Sequence, residues 1–114
     1  MGISDNGLKG AQFEREVSVL EGAIFDSQTG KPLPMVYIYL HHYDTMDGES
    51  IEFKGSTDEA GRYAVALGWG MPIVPLYYSF EKNGYSSENF EIPKDATQIS
   101  KFDFNLDVPL VSLR

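Results

Sequence analysis

The chain has 114 residues, no cysteine and a formal net charge of −8. That length suits one domain and can bury a core without help from metals or disulfides, and the missing cysteines exclude a disulfide framework and a thiolate zinc site. An acidic balance of this size repels phosphate, which argues against nucleic acid and anionic membrane as partners, and no apolar run reaches the roughly 20 residues of a spanning helix, so direct membrane insertion is not expected.

Residues 1–16 are polar and contain glycine, with neither helical nor strand period, and no secretory apolar stretch is present. They are expected to form a flexible lead-in to a single module over 17–114. The first predicted strand covers 17–25, where Val17, Val19 and Ile24 are β-branched and Gly22 signals a bulge or a close backbone approach. A turn-rich stretch follows, with Gly30 at its centre. The second strand, 35–43, alternates: Val36, Ile38 and Leu40 on one side, Tyr37, Tyr39 and His41 on the other. A polar loop, 44–50, separates it from a third strand at 51–57.

The segment Ser56-Thr57-Asp58-Glu59-Ala60-Gly61-Arg62-Tyr63 is the most informative in the chain. It reads as a strand end, a tight turn and a new strand. Asp58 can bond back onto the turn amides, and Gly61 supplies a positive φ at little cost. The fourth strand is predicted at 62–67. A glycine-rich break carries Trp69 as a loop residue, and a fifth strand begins after Pro75, with Leu76, Tyr78 and Phe80 on one face. Gly84 sits in the next turn. A sixth strand covers 85–92, and a last one, 102–108, sets Phe102, Phe104, Leu106 and Val108 against Asp103, Asn105 and Asp107.

No segment has a convincing helical period. Seven short strands with turn signals between them predict an all-β sandwich, two sheets packed face to face in a Greek-key arrangement. The expected core is Val19, Ile24, Val36, Ile38, Leu40, Phe53, Tyr63, Val65, Leu67, Leu76, Tyr78, Phe80, Tyr85, Phe102, Phe104 and Leu106.

Three stretches resemble the carboxypeptidase regulatory-like domain family. They are Val19 through Ile38 with its Thr29-Gly30-Lys31-Pro32-Leu33-Pro34 turn, Thr57 through Tyr63, and Lys82-Asn83-Gly84-Tyr85. The alternating terminal strand fits as well, so the likeness spans about 17–110. Its motifs are turns and strands, which specify fold and hardly touch activity. The resemblance implies a transthyretin-like, Ig-like β-sandwich. It also implies an extracytoplasmic accessory module of the periplasm or of a surface lipoprotein, as in Bacteroidetes-like bacteria.

Chemistry is sparse. Hydroxyisourate hydrolase shares the transthyretin-like fold and needs several convergent histidines. This chain has only His41 and His42, adjacent on a strand and so pointing to opposite faces. Asp44, Asp47 and Glu49 lack the spacing of a calcium loop. No Ser-His-Asp arrangement and no phosphate loop is legible, and no strand-one lysine exists for an isopeptide bond to Asn105. The expectation is therefore a noncatalytic module with no cofactor and no metal. Its partner is an unidentified protein or glycan, contacted through exposed aromatics: Trp69, Tyr37, Tyr39 and Tyr77. Asp58, Gly61, Gly30 and Gly84 are expected to serve the turns. The alternative is a carbohydrate-binding module built around Trp69.

Overall fold

The computed structural model describes residues 17–114 except Thr45, Asp47 and Ile73, so the expected lead-in over 1–16 lies outside the described residues. Nine strands follow in chain order: β1 Val17–Asp26, β2 Tyr37–Asp44, β3 Gly48–Ser56, β4 Arg62–Trp69, β5 Leu76–Glu81, β6 Glu88–Ile92, β7 Thr97–Gln98, β8 Asp103–Asn105 and β9 Val108–Leu110. None of the described residues is helical. One sheet has the order β4-β1-β8-β7, with β9 also pairing β1; the other has the order β3-β2-β5-β6. The expected β-sandwich is the fold.

The core lies between the sheets. Leu20, Ile24, Val65, Phe104 and Val108 from one meet Ile38, Leu40, Tyr78, Phe80 and Ile92 from the other, all buried. The Tyr63 ring meets Phe80 across the interface at 5.4 Å, and its hydroxyl donates to the Leu106 carbonyl at 2.6 Å. Burial then pushes the Tyr63 phenol far above its ordinary value.

Three core expectations fail. Val19 is only half-buried, because β1 turns Ser18, Leu20, Gly22, Ile24 and Asp26 inward. Phe53 is 57% exposed. It lies on the edge strand β3 and shares the outer face with Tyr39, its cross-strand partner. Phe102 is half-buried ahead of β8, with the Lys101 ammonium 5.2 Å from its ring centre. Leu67, Leu76 and Tyr85 pack against the core without being fully enclosed.

Strand limits also move. β2 and β3 run on through most of the predicted 44–50 loop, pairing Tyr43 with Glu49 and Asp44 with Gly48. β4 continues to Trp69, which pairs with Val17 and so is a strand residue. β6 starts at Glu88, three residues later than predicted; Tyr85 makes only an isolated bridge to Ser112. The last predicted strand is two strands, both parallel to β1, with a break at 106–107. A Cβ on Gly22 would overlap the Leu106 carbonyl at that break, so glycine here permits a close backbone approach.

The three turn motifs converge. Gly61 has φ +75° and offers its carbonyl to the Ile24 amide at 2.8 Å. Asp58 Oδ1 accepts from the Ala60 and Arg62 amides, both at 2.9 Å. Asp26 Oδ1 accepts from the Gln28 and Thr29 amides, and its Oδ2 accepts from the Tyr85 hydroxyl at 2.7 Å. The Thr57 hydroxyl donates to the Leu33 carbonyl and accepts from the Val36 amide. Lys82 Nζ reaches the Pro34 carbonyl at 2.7 Å. One end of the sandwich is thus tied by side chains drawn from all three turns.

Candidate functional site

The outer face of the β3-β2-β5-β6 sheet is where the aromatics gather. Alternation on β2 turns Ile38 and Leu40 into the core and leaves Tyr37, Tyr39, His41 and Tyr43 outside. Register brings Phe53 of β3 opposite Tyr39 and Tyr77 of β5 opposite His41. The Phe53 ring lies 6.0 Å from Tyr37 and 5.7 Å from Tyr39. Tyr43 and Tyr77 form an edge-to-face pair at 5.4 Å, interplanar angle 88°. Burial first, then the Glu49 carboxylate, raises the Tyr43 phenol above its usual range.

Between these two aromatic groups lies a hydrogen-bonded line that the sequence did not disclose. His41 Nδ1 meets Glu49 Oε2 at 2.6 Å and His41 Nε2 meets Ser79 Oγ at 2.8 Å. Ser79 Oγ also approaches Glu81 Oε2 at 3.4 Å. A carboxylate only accepts, so a neutral His41 donates from Nδ1 to Glu49 and accepts at Nε2 from the Ser79 hydroxyl, which then has no proton left for Glu81. The order acid, imidazole, serine matches that of a hydrolase triad. Two features oppose catalysis. Ser79 is 1% exposed. It also lies on a strand paired on both sides, opposite Tyr39 and Asn89, where backbone amides are engaged in the ladders rather than gathered as an oxyanion hole.

His42 points the other way, with Nε2 2.9 Å from Glu52 Oε1. That bond, with a second from Lys54, holds the Glu52 carboxyl below its usual value. The two histidines therefore serve separate carboxylates, as opposite faces require. Among the described residues no group of three or more histidine, cysteine or acidic side chains is arranged to hold a metal ion; Asp47 of the acidic stretch lies outside them.

Two hollows flank the aromatic rows. One, of about 380 Å³, is lined by His41, Tyr43, Glu49, Tyr77, Asn89, Glu91, Lys94 and Asp95 among others. The second, of about 390 Å³, includes Tyr37, Tyr39, Glu81, Lys82 and Tyr85. Of the aromatics singled out in the sequence, Tyr37, Tyr39 and Tyr77 share this face. Trp69 does not: it is 65% exposed but belongs to β4 in the other sheet. Phe53, Tyr43, His41 and Ser79 are the members that sequence reasoning passed over. Alternation along β2 already sets His41 and Tyr43 beside Tyr37 and Tyr39, whereas Phe53 of β3 and Ser79 of β5 join the set only through cross-strand register.

No family model matches the chain, and no curated protein matches it. Among solved structures it is similar to 3-chlorocatechol 1,2-dioxygenase from Rhodococcus opacus 1CP, with 15% identity and a TM-score of 0.54, covering 88% of this chain and 62% of that one. It is also similar to the pilus 2b backbone protein of group B streptococcus, with 13% identity and a TM-score of 0.50, covering 83% of this chain and 41% of that one. The chain thus spans less than two thirds of either protein. At such identities the likeness shows the fold alone, a β-sandwich, and the activities in those names stay with those proteins.

Proposed function

We propose that the protein is a noncatalytic β-sandwich module, of the carboxypeptidase regulatory-like kind, that contacts another protein at a bacterial cell envelope. The observation that carries this is the outer face of β2, β3 and β5, where Tyr37, Phe53, Tyr43 and Tyr77 are all exposed on one rigid sheet. Aromatic side chains fixed by strands lose little entropy on binding, and exposed clusters of them mark contact surfaces. The family likeness gains support from the three turn motifs, which meet in space and bond to one another as parts of one device. The noncatalytic assignment rests on the covered Ser79 hydroxyl and the absence of a donor pair beside it. The glycan alternative centred on Trp69 gains no support, because Trp69 and the tyrosines belong to different sheets.

Site-specific photocrosslinking in the native organism tests this. A benzophenone side chain in place of Tyr37 is expected to trap a discrete protein adduct in the cell-envelope fraction. The same probe at Ala64, on the exposed face of β4, is expected to trap none. Adducts confined to the cytosol, or equal at both positions, would overturn the proposal. Covalent labelling of Ser79 by a fluorophosphonate would overturn its noncatalytic part.

A further inference from the structure

We propose that the hollow beside Tyr43 and Tyr77 receives one arginine or lysine side chain, carried on an extended segment of the partner protein. This rests on the aromatic face being the contact surface. The hollow holds about 380 Å³, at the small end of the roughly 300–1,000 Å³ usual for ligand sites, which suits one long side chain.

Its chemistry selects a cation. Glu49, Glu91 and Asp95 line it, against one lysine, Lys94, which is itself drawn to Asp95 at 3.7 Å. The bond from His41 occupies one oxygen of Glu49 and leaves its charge in place. Tyr43 and Tyr77 both line the hollow and are both exposed, and their edge-to-face contact at 5.4 Å covers at most one face of one ring. A ring face beside carboxylates attracts guanidinium or ammonium, and three carboxylates against one lysine make the hollow unfavourable to an anion. The chain's net charge of −8 steers a basic partner toward it from a distance.

The same face argues for a peptide rather than a free amine. From His41 the outer row of β2 continues through Tyr39 to Tyr37, with Phe53 alongside, and ends at the second hollow beside Glu81. Strand rise sets that row at roughly 3.3 Å per residue, so four or five residues of an extended partner can lie along it.

The test uses the full chain, immobilised and panned against random heptapeptides. Selected peptides are expected to share one basic residue at a fixed place. Replacing that residue by citrulline or norleucine should weaken binding about tenfold, the scale of one desolvated cation–π contact with its carboxylate. Glu91→Gln and Tyr77→Ala should weaken binding similarly. Tyr77→Phe, which keeps the ring, should not, and this separates a lost contact from a damaged fold. Selected peptides that need Tyr37 and Phe53 yet carry no shared basic residue would overturn the cation site and leave the contact face standing. Peptides indifferent to every substitution on this face, or none enriched, would overturn both. Arginine methyl ester binding as tightly as the peptides would assign the hollow to a small amine and overturn the peptide proposal.

Discussion

Gly61 shows how much one residue can carry. Its φ of +75° disfavours any side chain, and a Cβ there would stand 2.7 Å from the Ile24 carbonyl oxygen and 2.8 Å from Pro32 Cβ. Strain and overlap act together, so Gly61→Val is expected to cost at least about 1–3 kcal/mol, read as a lower urea midpoint. An unchanged midpoint would mean that the turn does not pack as described. Asp26 carries a different burden. The Thr29 amide, the Tyr85 hydroxyl and the Gln28 amide hold its carboxyl below the ordinary value. A depressed folded value means that the ionised form stabilises the fold. That contribution is complete above the unfolded value, roughly 3.9, and is lost as pH falls through the folded one. Asp26→Asn should therefore be less stable than the natural protein at neutral pH, and the gap between their urea midpoints should close below about pH 4. A constant gap would show that the charge contributes nothing.

At the scale of elements, the clearest device is the junction of β1 with the broken last strand. β8 and β9 both run parallel to β1, and the ladder lapses between them at 106–107. Two bonds fill the gap: the Leu106 amide to the Glu21 carbonyl at 2.9 Å, and the Ala23 amide to Asp107 Oδ1 at 2.9 Å. Gly22 lies between them with no room for a methyl group against the Leu106 backbone. Backbone cannot swing aside as a side chain can, so Gly22→Ala is expected to destabilise by about 1–3 kcal/mol. Asp107→Ala, which removes one exposed bond, should cost about 0.5–1.5 kcal/mol. Thermal melts of the two variants check the order, and a reversed order would mean that the approach at Gly22 relaxes freely. The edge strand β3 shows a second rule. Its inner face overhangs the core and carries Glu52 and Lys54, while Ile51 and Phe53 face outward with the aromatics. Charged residues turned inward at an edge also hinder edge-to-edge pairing with another chain.

Across the whole molecule, the turn end and the aromatic face adjoin at the second hollow, where Tyr37 and Tyr39 meet Lys82 and Tyr85. The turn end is bound together by Asp26, Asp58, Thr57, Lys82 and Tyr85. The aromatic face is carried by the central strands β2 and β5, whose inner sides are anchored by Ile38, Leu40, Tyr78 and Phe80. The His41 line bonds β2, β3 and β5 through side chains on that face, so the rings on either side are mounted on a common support. A rigid support lowers the entropy lost on binding, which favours the proposed contact on this face over one on a loop.

Turn chemistry and period-two alternation are local, so the sequence alone determined that the chain is an all-β sandwich, that Gly61 and Asp58 build a turn, and that Ile38, Leu40 and Phe80 are core. Where both faces of a strand are apolar, as at Val19 and Leu20, alternation cannot choose, and pairing with β4 and β8 decided in favour of Leu20. The outward turn of Phe53, the strand placement of Trp69 and the meeting of His41 with Glu49 and Ser79 depend on register between strands far apart in the chain. Register is set by the packing of the whole, so only the tertiary structure could decide them.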